Sequence, residues 1–277
     1  MKKPSRQEGA FIAFSGLASC YTATVKDHPL NLDRDSLLLV AHGSSRYKAV
    51  AADLARLAEK VRESGRFARV DVAFWRQEPL LSPDHLQGDR VFVVPFFAGV
   101  GKHSRELIPA RLGLTGPVTR RGRQSIVYCA PVGCHKLVPQ LIERRAVRLC
   151  RDQDIWPSDT TLLLIAHGSR AGTASETPEA IAAALRSSPH FAEIVLLYLE
   201  QAPFATDWQA LVRGNRVIVQ PLLLSAGMHL SEDLPALLDQ GSGSHDRQLW
   251  LQSGIGDDDE IIALLLDQVT EAAERAP

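Results

Sequence analysis

The sequence has few of the features that mark an exported, membrane-bound or nucleic-acid-binding protein. It contains only 4 cysteines among 277 residues, too few and too irregularly spaced for a disulfide framework. No apolar run approaches the roughly 20 residues that span a bilayer. The formal net charge of −1 gives no electrostatic reason to expect nucleic acid as a partner. We therefore expect a cytoplasmic globular protein that has neither a membrane nor a nucleic acid as its partner.

Other absences narrow the possible functions. No G-x-G-x-x-G follows a predicted strand and no P-loop is present, so nucleotide chemistry has little support. A different enzyme on the same architecture, such as a periplasmic-binding-like or flavodoxin-like oxidoreductase, remains an alternative. Cys129 and Cys134 do not have the spacing of zinc or cluster ligands. The apolar run that ends at Cys20 resembles a lipoprotein export signal, but Glu8 interrupts its charged leader. We expect residues 1–35 to form a loosely ordered extension.

The chain contains two long blocks that are repeated. The segment LLLVAHGSS at 37–45 returns as LLLIAHGSR at 162–170, and GKHSRELIP at 101–109 returns as GMHLSEDLP at 227–235. The offset is 125 residues between the first pair of histidines and 126 between the second. Solenoid repeats run only about 20–50 residues, so a period of this length indicates two duplicated domains.

Each half alternates strands with helices. Continuous apolar runs of strand length, such as 37–41, are typical of strands buried on both faces. Alternation with short connections predicts two similar α/β domains with parallel sheets covered by helices. We place them at 36–155 and 156–277, with the boundary in the polar stretch 151–158. The predicted strands are 37–41, 70–75, 91–97 and 125–129 in the first half, and 161–166, 194–199, 217–223 and 249–252 in the second.

Two further patterns of the first half concern its charge and its last helix. Arginine is dense at 120–123 and 144–148, which is typical of solvated surface; a docking surface for an anionic ligand is the alternative. An amphipathic helix is predicted over 137–148, and we expect it to close the first half.

Two histidines of each half lie at the carboxyl ends of predicted strands. His42 and His167 directly follow the first strand of their halves, and His103 and His229 lie in the loop after another strand. Ligands of open parallel sheets bind beyond this edge. A lone histidine here is usually structural, but two duplicated pairs favour a binding site.

Glycines accompany these histidines. Gly43 and Gly168 each follow one directly, whereas Gly101 and Gly227 precede one by two positions. Glycine permits backbone torsions and close ligand approach that other residues resist. The alternative is an ordinary strand-to-helix turn, which also favours glycine and serine.

In the second half AHGS is followed, 62 residues after its histidine, by the histidine of GxHxxEDLP, and in the first half the spacing to the related GKHSRELIP is 61 residues. This pattern resembles the class II tetrapyrrole chelatases of the CbiX/CbiK/SirB group. The resemblance covers roughly residues 36–270. It implies a bilobal, flavodoxin-like fold with a tetrapyrrole in the cleft between the halves. It also implies insertion of Co²⁺ or Fe²⁺ into sirohydrochlorin or a relative, in cobalamin or siroheme biosynthesis. We expect no permanently bound cofactor and a monomer or homodimer.

In the family, two histidines and often a glutamate from one half bind the metal and take up pyrrole protons. The second half reads LYLEQAP at 197–203, so that Glu200 stands at the position of the family's glutamate. The first half reads AFWRQEP at 73–79, so that Arg76 stands at the same position. A guanidinium stays protonated and can neither bind a divalent cation nor accept a proton. The resemblance therefore predicts His167, Glu200 and His229 as catalytic residues, with the two histidines as metal ligands.

The remaining site residues are predicted to contact metal or substrate. His42 and His103 are further metal contacts, and Arg76 pairs with a substrate carboxylate. Glu232 either orients His229 or caps a helix. A binding-class alternative is a non-catalytic carrier of metal or tetrapyrrole on the same fold. The other predicted substrate contacts are Gly43, Ser44, Ser169 and Gly227.

Overall fold

The computed structural model of the chain describes residues 32–44, 49–169, 175–188, 190–224, 232–240, 247–257 and 259–276. Most of the predicted extension, including Cys20, lies outside these ranges. Its last residues belong to the folded body, since Leu32 and Asp35 are buried. Asp35 also accepts from Arg90 Nη2 at 2.6 Å.

The first half folds into a five-stranded sheet. Its central strand β1 is flanked by two parallel neighbours, β2 and β3, and the order across the sheet is β2-β1-β3-β5-β4. All six residues of β1 are buried, as expected for a strand covered on both faces. The strands are β1 (Ser36–Ala41), β2 (Arg69–Phe74), β3 (Arg90–Pro95), β4 (Val118–Arg121) and β5 (Gln124–Tyr128).

The edge strand β4 is an antiparallel addition to the predicted parallel sheet, and the sequence analysis did not predict it. It pairs antiparallel with β5, and Arg121 stands opposite Gln124 across a tight turn in which Gly122 has a φ of 58°. Arg120 and Arg121 therefore lie in a strand, not in a loop. Both are exposed, and charged side chains on an edge strand oppose pairing with another chain.

The second half repeats this architecture in a four-stranded parallel sheet with the order β7-β6-β8-β9. This is the order of β2, β1, β3 and β5, so the predicted duplication of two α/β domains with parallel sheets is confirmed. The segment that corresponds to β4 falls within 241–246, outside the described residues. The strands are β6 (Thr161–Ala166), β7 (Glu193–Tyr198), β8 (Arg216–Pro221) and β9 (Gln248–Leu251).

Helices cover both sheets. A π-helical turn, His103–Leu107, leads directly into the helix Ile108–Leu112. Within the described ranges no helix is long and apolar enough to cross a membrane. The α-helices of these ranges are α1 (Ala49–Glu63), α2 (Ile108–Leu112), α3 (Val138–Asp152), α4 (Thr177–Arg186), α5 (Trp208–Leu211), α6 (Leu234–Gln240) and α7 (Glu260–Arg275).

The last helix of each half packs against the other half. α3 lies against β8 and α4, whereas α7 lies against β3. Arg145 of α3 is buried and donates to the carbonyls of Ser253 and Gly254, after β9, at 3.0 and 2.9 Å. Gln268 of α7 donates to the carbonyl of Ala130, after β5, at 2.6 Å. The two sheets therefore form one body, in which each half supplies a helix to its neighbour.

The expectation that α3 closes its own half is wrong. The amphipathic pattern shows correctly which residues of the helix are buried, but it does not show which sheet covers them. Ion pairs hold the exchanged helices in place, among them Lys136 with Glu271 and Arg144 with Glu260.

His135, in the loop before α3, should make stability depend on pH. Its Nε2 lies 3.1 Å from Asp267 Oδ2 of α7, and the side chain is buried. Burial lowers the pKa of His135 and outweighs the opposing effect of Asp267. Because the unfolded chain then takes up a proton at a higher pH than the folded chain does, acid favours unfolding.

We predict that the free energy of unfolding falls as the pH drops below about 6.5, the ordinary pKa of histidine. The variant His135→Gln should show a shallower fall. Urea unfolding at a series of pH values between neutral and mildly acidic measures both slopes. Equal slopes in the variant and the wild type would contradict the assignment to His135.

Candidate functional site

The two histidines that directly follow the central strands have the same local geometry. Nδ1 of His42 lies 2.9 Å from the carbonyl oxygen of Gly43, and Nδ1 of His167 lies 3.2 Å from that of Gly168. When Nδ1–H donates to this carbonyl, the lone pair is on Nε2. In this form an imidazole can bind a metal or accept a proton.

Glycine is required at the turn after each of these histidines. Gly43 and Gly168 have φ values of +71° and +78°, in the left-handed region. A Cβ on Gly43 would lie 2.8 Å from Cγ of Gln77, and one on Gly168 would lie 2.9 Å from Cγ of Gln201. Gly101 has neither constraint, because a Cβ there would meet nothing within 4 Å.

Gln77 and Gln201 are positioning residues that the sequence reasoning missed. Gln77 Oε1 accepts from the backbone N–H of Ser44 at 2.7 Å, and Gln201 Oε1 accepts from that of Ser169 at 2.8 Å. The available signal was the glutamine that both repeats keep after Arg76 or Glu200. Since these bonds use the backbone N–H groups of both serines, those groups are not available to a substrate.

Arg76 and Glu200 occupy equivalent places in the backbone. The N–H of Arg76 donates to the carbonyl of His42, and the N–H of Glu200 donates to that of His167, both at 2.9 Å. The residue beside the strand-end histidine is thus an exposed cation in the first half and a half-buried acid in the second. At this position the two halves differ in the charge of the side chain, but the backbone makes the same hydrogen bond in both.

His42 and His103 come together at the rim of the first sheet. Their ring centroids are 4.8 Å apart, with the planes at 77°. Trp75 meets His103 edge-on at 5.7 Å, and Phe97 stacks on it at 6.1 Å. The rim on which the topology places the first-half pair is therefore lined with aromatic rings. In the second half, His229 and Gly227 lie outside the described residues, so the structure gives no geometry for that pair.

The surroundings of His103 are electropositive. Burial lowers its pKa, and the charges of His42, Arg76 and Lys102 lower it further. No carboxylate of the described residues is among these causes. His103 is therefore neutral at pH 7 and keeps a lone pair for a ligand. Within the described part of the chain, no three His, Cys, Asp or Glu side chains are grouped so that they could hold a metal ion.

The three cysteines of the described residues do not contribute to this rim as thiolates. Cys129 and Cys150 are buried, and burial raises their thiol pKa values to about 12 and about 11. Cys134 Sγ lies 3.4 Å from Thr177 Oγ1, and burial raises its pKa as well. All three thiols stay protonated at neutral pH, which suits core or loop residues better than metal ligands.

Two duplicated α/β domains, with histidines at corresponding strand ends, define a protein of the chelatase-like class. The model of the CbiX family matches residues 36–149 and 161–272, one match in each half. The chain belongs to the CbiX family.

Similar proteins include both a curated relative and solved structures. A probable sirohydrochlorin cobaltochelatase of Halobacterium salinarum is 28% identical over 222 residues, which are 72% of this chain and 75% of the relative. DR2241 of Deinococcus radiodurans, a multi-domain protein with structural similarity to chelatases, superposes with a TM-score of 0.74 and 26% identity. That match covers 88% of this chain but only 56% of DR2241. CbiX, the terminal enzyme of siroheme biosynthesis in denitrifying bacteria, superposes with a TM-score of 0.65 and 26% identity, over 87% of this chain and 99% of that one.

Proposed function

We propose that this chain inserts a divalent first-row metal ion into sirohydrochlorin or a closely related tetrapyrrole. The observation that carries the proposal is the repeated strand-end histidine, which in both halves of a CbiX-family chain precedes the same glycine turn, with a glutamine bonded to the serine after that glycine. The names of the relatives support sirohydrochlorin as the substrate.

The chemistry of the side chains fits metal insertion. Neutral imidazoles bind Co²⁺ and Fe²⁺, and a carboxylate adds charge without the strong hold of a thiolate site. Histidine also titrates near neutral pH, so it can accept a proton from a pyrrole nitrogen. The metal is a substrate that leaves with the product, so no cofactor needs to remain bound.

We assign the reaction to the second half. His167 is a metal ligand and proton acceptor, His229 is the second ligand, and Glu200 is a ligand or proton relay. The support for this choice is the equivalent position of Arg76, where a permanent positive charge repels a cation and cannot accept a proton. His42 and His103 then bind a metal or the macrocycle. Contacts to the substrate come from Gly43, Ser44, Ser169, Gly227 and Arg76.

We propose Co²⁺ as the preferred metal substrate and Fe²⁺ as the second candidate. The relative from Halobacterium salinarum bears the name of a cobaltochelatase, and the CbiX structure from denitrifying bacteria belongs to siroheme biosynthesis. The enzyme is proposed to act in the cytoplasm, as a monomer or homodimer. A non-catalytic carrier is the second candidate, favoured in the first half by Arg76.

An absorbance assay tests the function directly. Purified protein is mixed with sirohydrochlorin and Co²⁺, Fe²⁺ or Ni²⁺, and the spectral change is compared with the uncatalysed rate. We expect acceleration with Co²⁺ and a smaller acceleration with Fe²⁺. Tight Co²⁺ binding without any acceleration would instead identify a carrier.

Replacing the carboxylate of Glu200 tests the assignment to the second half. We predict that Glu200→Gln lowers kcat about a hundredfold, as expected when a group that handles protons is lost. The matched variant is Arg76→Gln, which should raise the KM for the tetrapyrrole rather than lower kcat. A Glu200→Gln enzyme with the wild-type kcat would remove Glu200 from the mechanism.

A further inference from the structure

Arg111 is held beside the first-half histidines by an aromatic ring. Its guanidinium carbon lies 4.5 Å from the centroid of Trp75, and its Nη1 donates to the carbonyl of Leu81 at 3.3 Å. Trp75 in turn contacts His103 edge-on. A guanidinium stacked on an indole in this way is oriented as well as attracted, because the ring presents the negative face of its quadrupole.

The second half lacks this pair although it keeps the fold. Leu199 stands where Trp75 stands, since its N–H donates to Ala166 as that of Trp75 donates to Ala41. Leu237 stands in α6 where Arg111 stands in α2. Both leucines pack against the core of the second half. Folding of the domain therefore does not require a tryptophan and an arginine at these positions, and their presence in the first half calls for another reason.

In the described part of the chain, the cations at this rim have no acidic partners. The N–H of Arg76 donates to the carbonyl of His42, and Lys102 directly precedes His103. Arg111 reaches the same pair of histidines through Trp75, which contacts His103. Among the described residues none of the three cations makes an ion pair, whereas arginines elsewhere, such as Arg90, do. Unpaired cations grouped at one rim attract an anionic ligand.

We propose that Arg111 and Trp75, together with Arg76, form the site that binds the carboxylates of the tetrapyrrole. The planar fork of a guanidinium matches a carboxylate through two parallel N–H···O bonds, and a planar ring beside it suits a planar macrocycle. The two halves then have different tasks: the first binds the acidic side chains of the substrate, and the second binds the metal and takes up protons. This division rests on the function proposed above.

The test replaces Arg111 and Trp75 with leucine, the residue that stands at both equivalent positions of the second half, in the variants Arg111→Leu and Trp75→Leu. We expect the KM for sirohydrochlorin to rise about tenfold or more in Arg111→Leu, the effect of losing a hydrogen bond between charged groups. The kcat and the KM for Co²⁺ should stay within about twofold. The control is Arg213→Gln, whose exposed side chain lies before the amino end of β8, at the opposite edge of the sheet, and it should match the wild type.

Binding without turnover separates this proposal from the proposed function. The Kd of metal-free sirohydrochlorin, followed by quenching of intrinsic fluorescence in wild type and Arg111→Leu, should rise by the same factor as KM. A macrocycle with all its acids esterified should bind both proteins equally. If the wild type does not insert metal, the proposed function fails, but a higher Kd in Arg111→Leu still supports the carboxylate site.

Two results would overturn the carboxylate site. One is a wild type that inserts metal while Arg111→Leu has unchanged KM and Kd. The other is an equal loss of affinity for the acid and the ester. Arg111→Lys, which keeps the charge, should recover part of the affinity, and unchanged thermal unfolding shows that the variants are folded.

Discussion

Replacing His167 with alanine is expected to lower kcat for metal insertion about a thousandfold, more than any other single substitution considered. The change removes the side chain that we propose as both metal ligand and proton acceptor, and the exposed position of His167 means that folding should be little affected. The measurement is the initial rate of the absorbance change with sirohydrochlorin and Co²⁺, together with Co²⁺ binding by calorimetry. Metal affinity should fall along with kcat.

The chain provides a matched control in His42→Ala. His42 follows β1 as His167 follows β6, and its Nδ1 makes the same contact with the next carbonyl. We expect kcat/KM of this variant to fall about tenfold, mainly through a higher KM, because His42 belongs to the half that is proposed to hold the substrate. If His42→Ala abolished activity and His167→Ala did not, the reaction would have to be assigned to the first half.

A loss of stability of about 3 kcal/mol is expected from Gly133→Ala. Gly133 lies in the turn between β5 and α3, just before the helix that packs against the second half. A Cβ there would lie 2.3 Å from the carbonyl oxygen of Ala98 and 2.4 Å from its carbonyl carbon. Both are backbone atoms, so the loop after β3 must move as a whole.

That loop also carries Phe97, whose ring stacks on His103 and whose carbonyl accepts from the N–H of Gly133 at 2.9 Å. A shift of the loop should therefore weaken substrate binding as well as stability. Gly116→Ala is the control, since a Cβ at Gly116 meets nothing within 4 Å, and it should change stability by less than about 0.5 kcal/mol. Urea unfolding at neutral pH compares the two, and equal stabilities would contradict the argument.

The strands of this fold were predictable because their signals are local. A run of apolar residues such as Leu37 to Ala41 identifies a buried strand without reference to the rest of the chain. Repetition of the same run at β6 then shows the duplication. The exchange of α3 and α7 was not predictable, because an apolar helix face packs equally well against either sheet. The edge strand β4 was missed because its arginines indicate surface, and an edge strand is also surface.

The site was predictable where it depends on topology. His42 and His103 are far apart in sequence, but β1 and β3 are adjacent, so their carboxyl ends share one rim. The bonds of Gln77 and Gln201, and the stacking of Arg111 on Trp75, depend on contacts across loops that spacing does not encode. A comparison of the halves could have pointed to all four positions. The glutamines stand at corresponding places in both halves, whereas the tryptophan and arginine are replaced by leucines in the second.

The exchanged helices have a consequence for what counts as a foldable unit. A fragment that stopped in the stretch 151–158 would carry α3 without the surface of β8 and α4 that it covers. It would also lack α7, which covers β3 and accepts the bonds of His135 and Lys136. Such a fragment could complete itself only by trading helices with a second copy, as a swapped dimer does. In the intact chain the partner is supplied covalently, and each half depends on a helix of the other to cover its sheet.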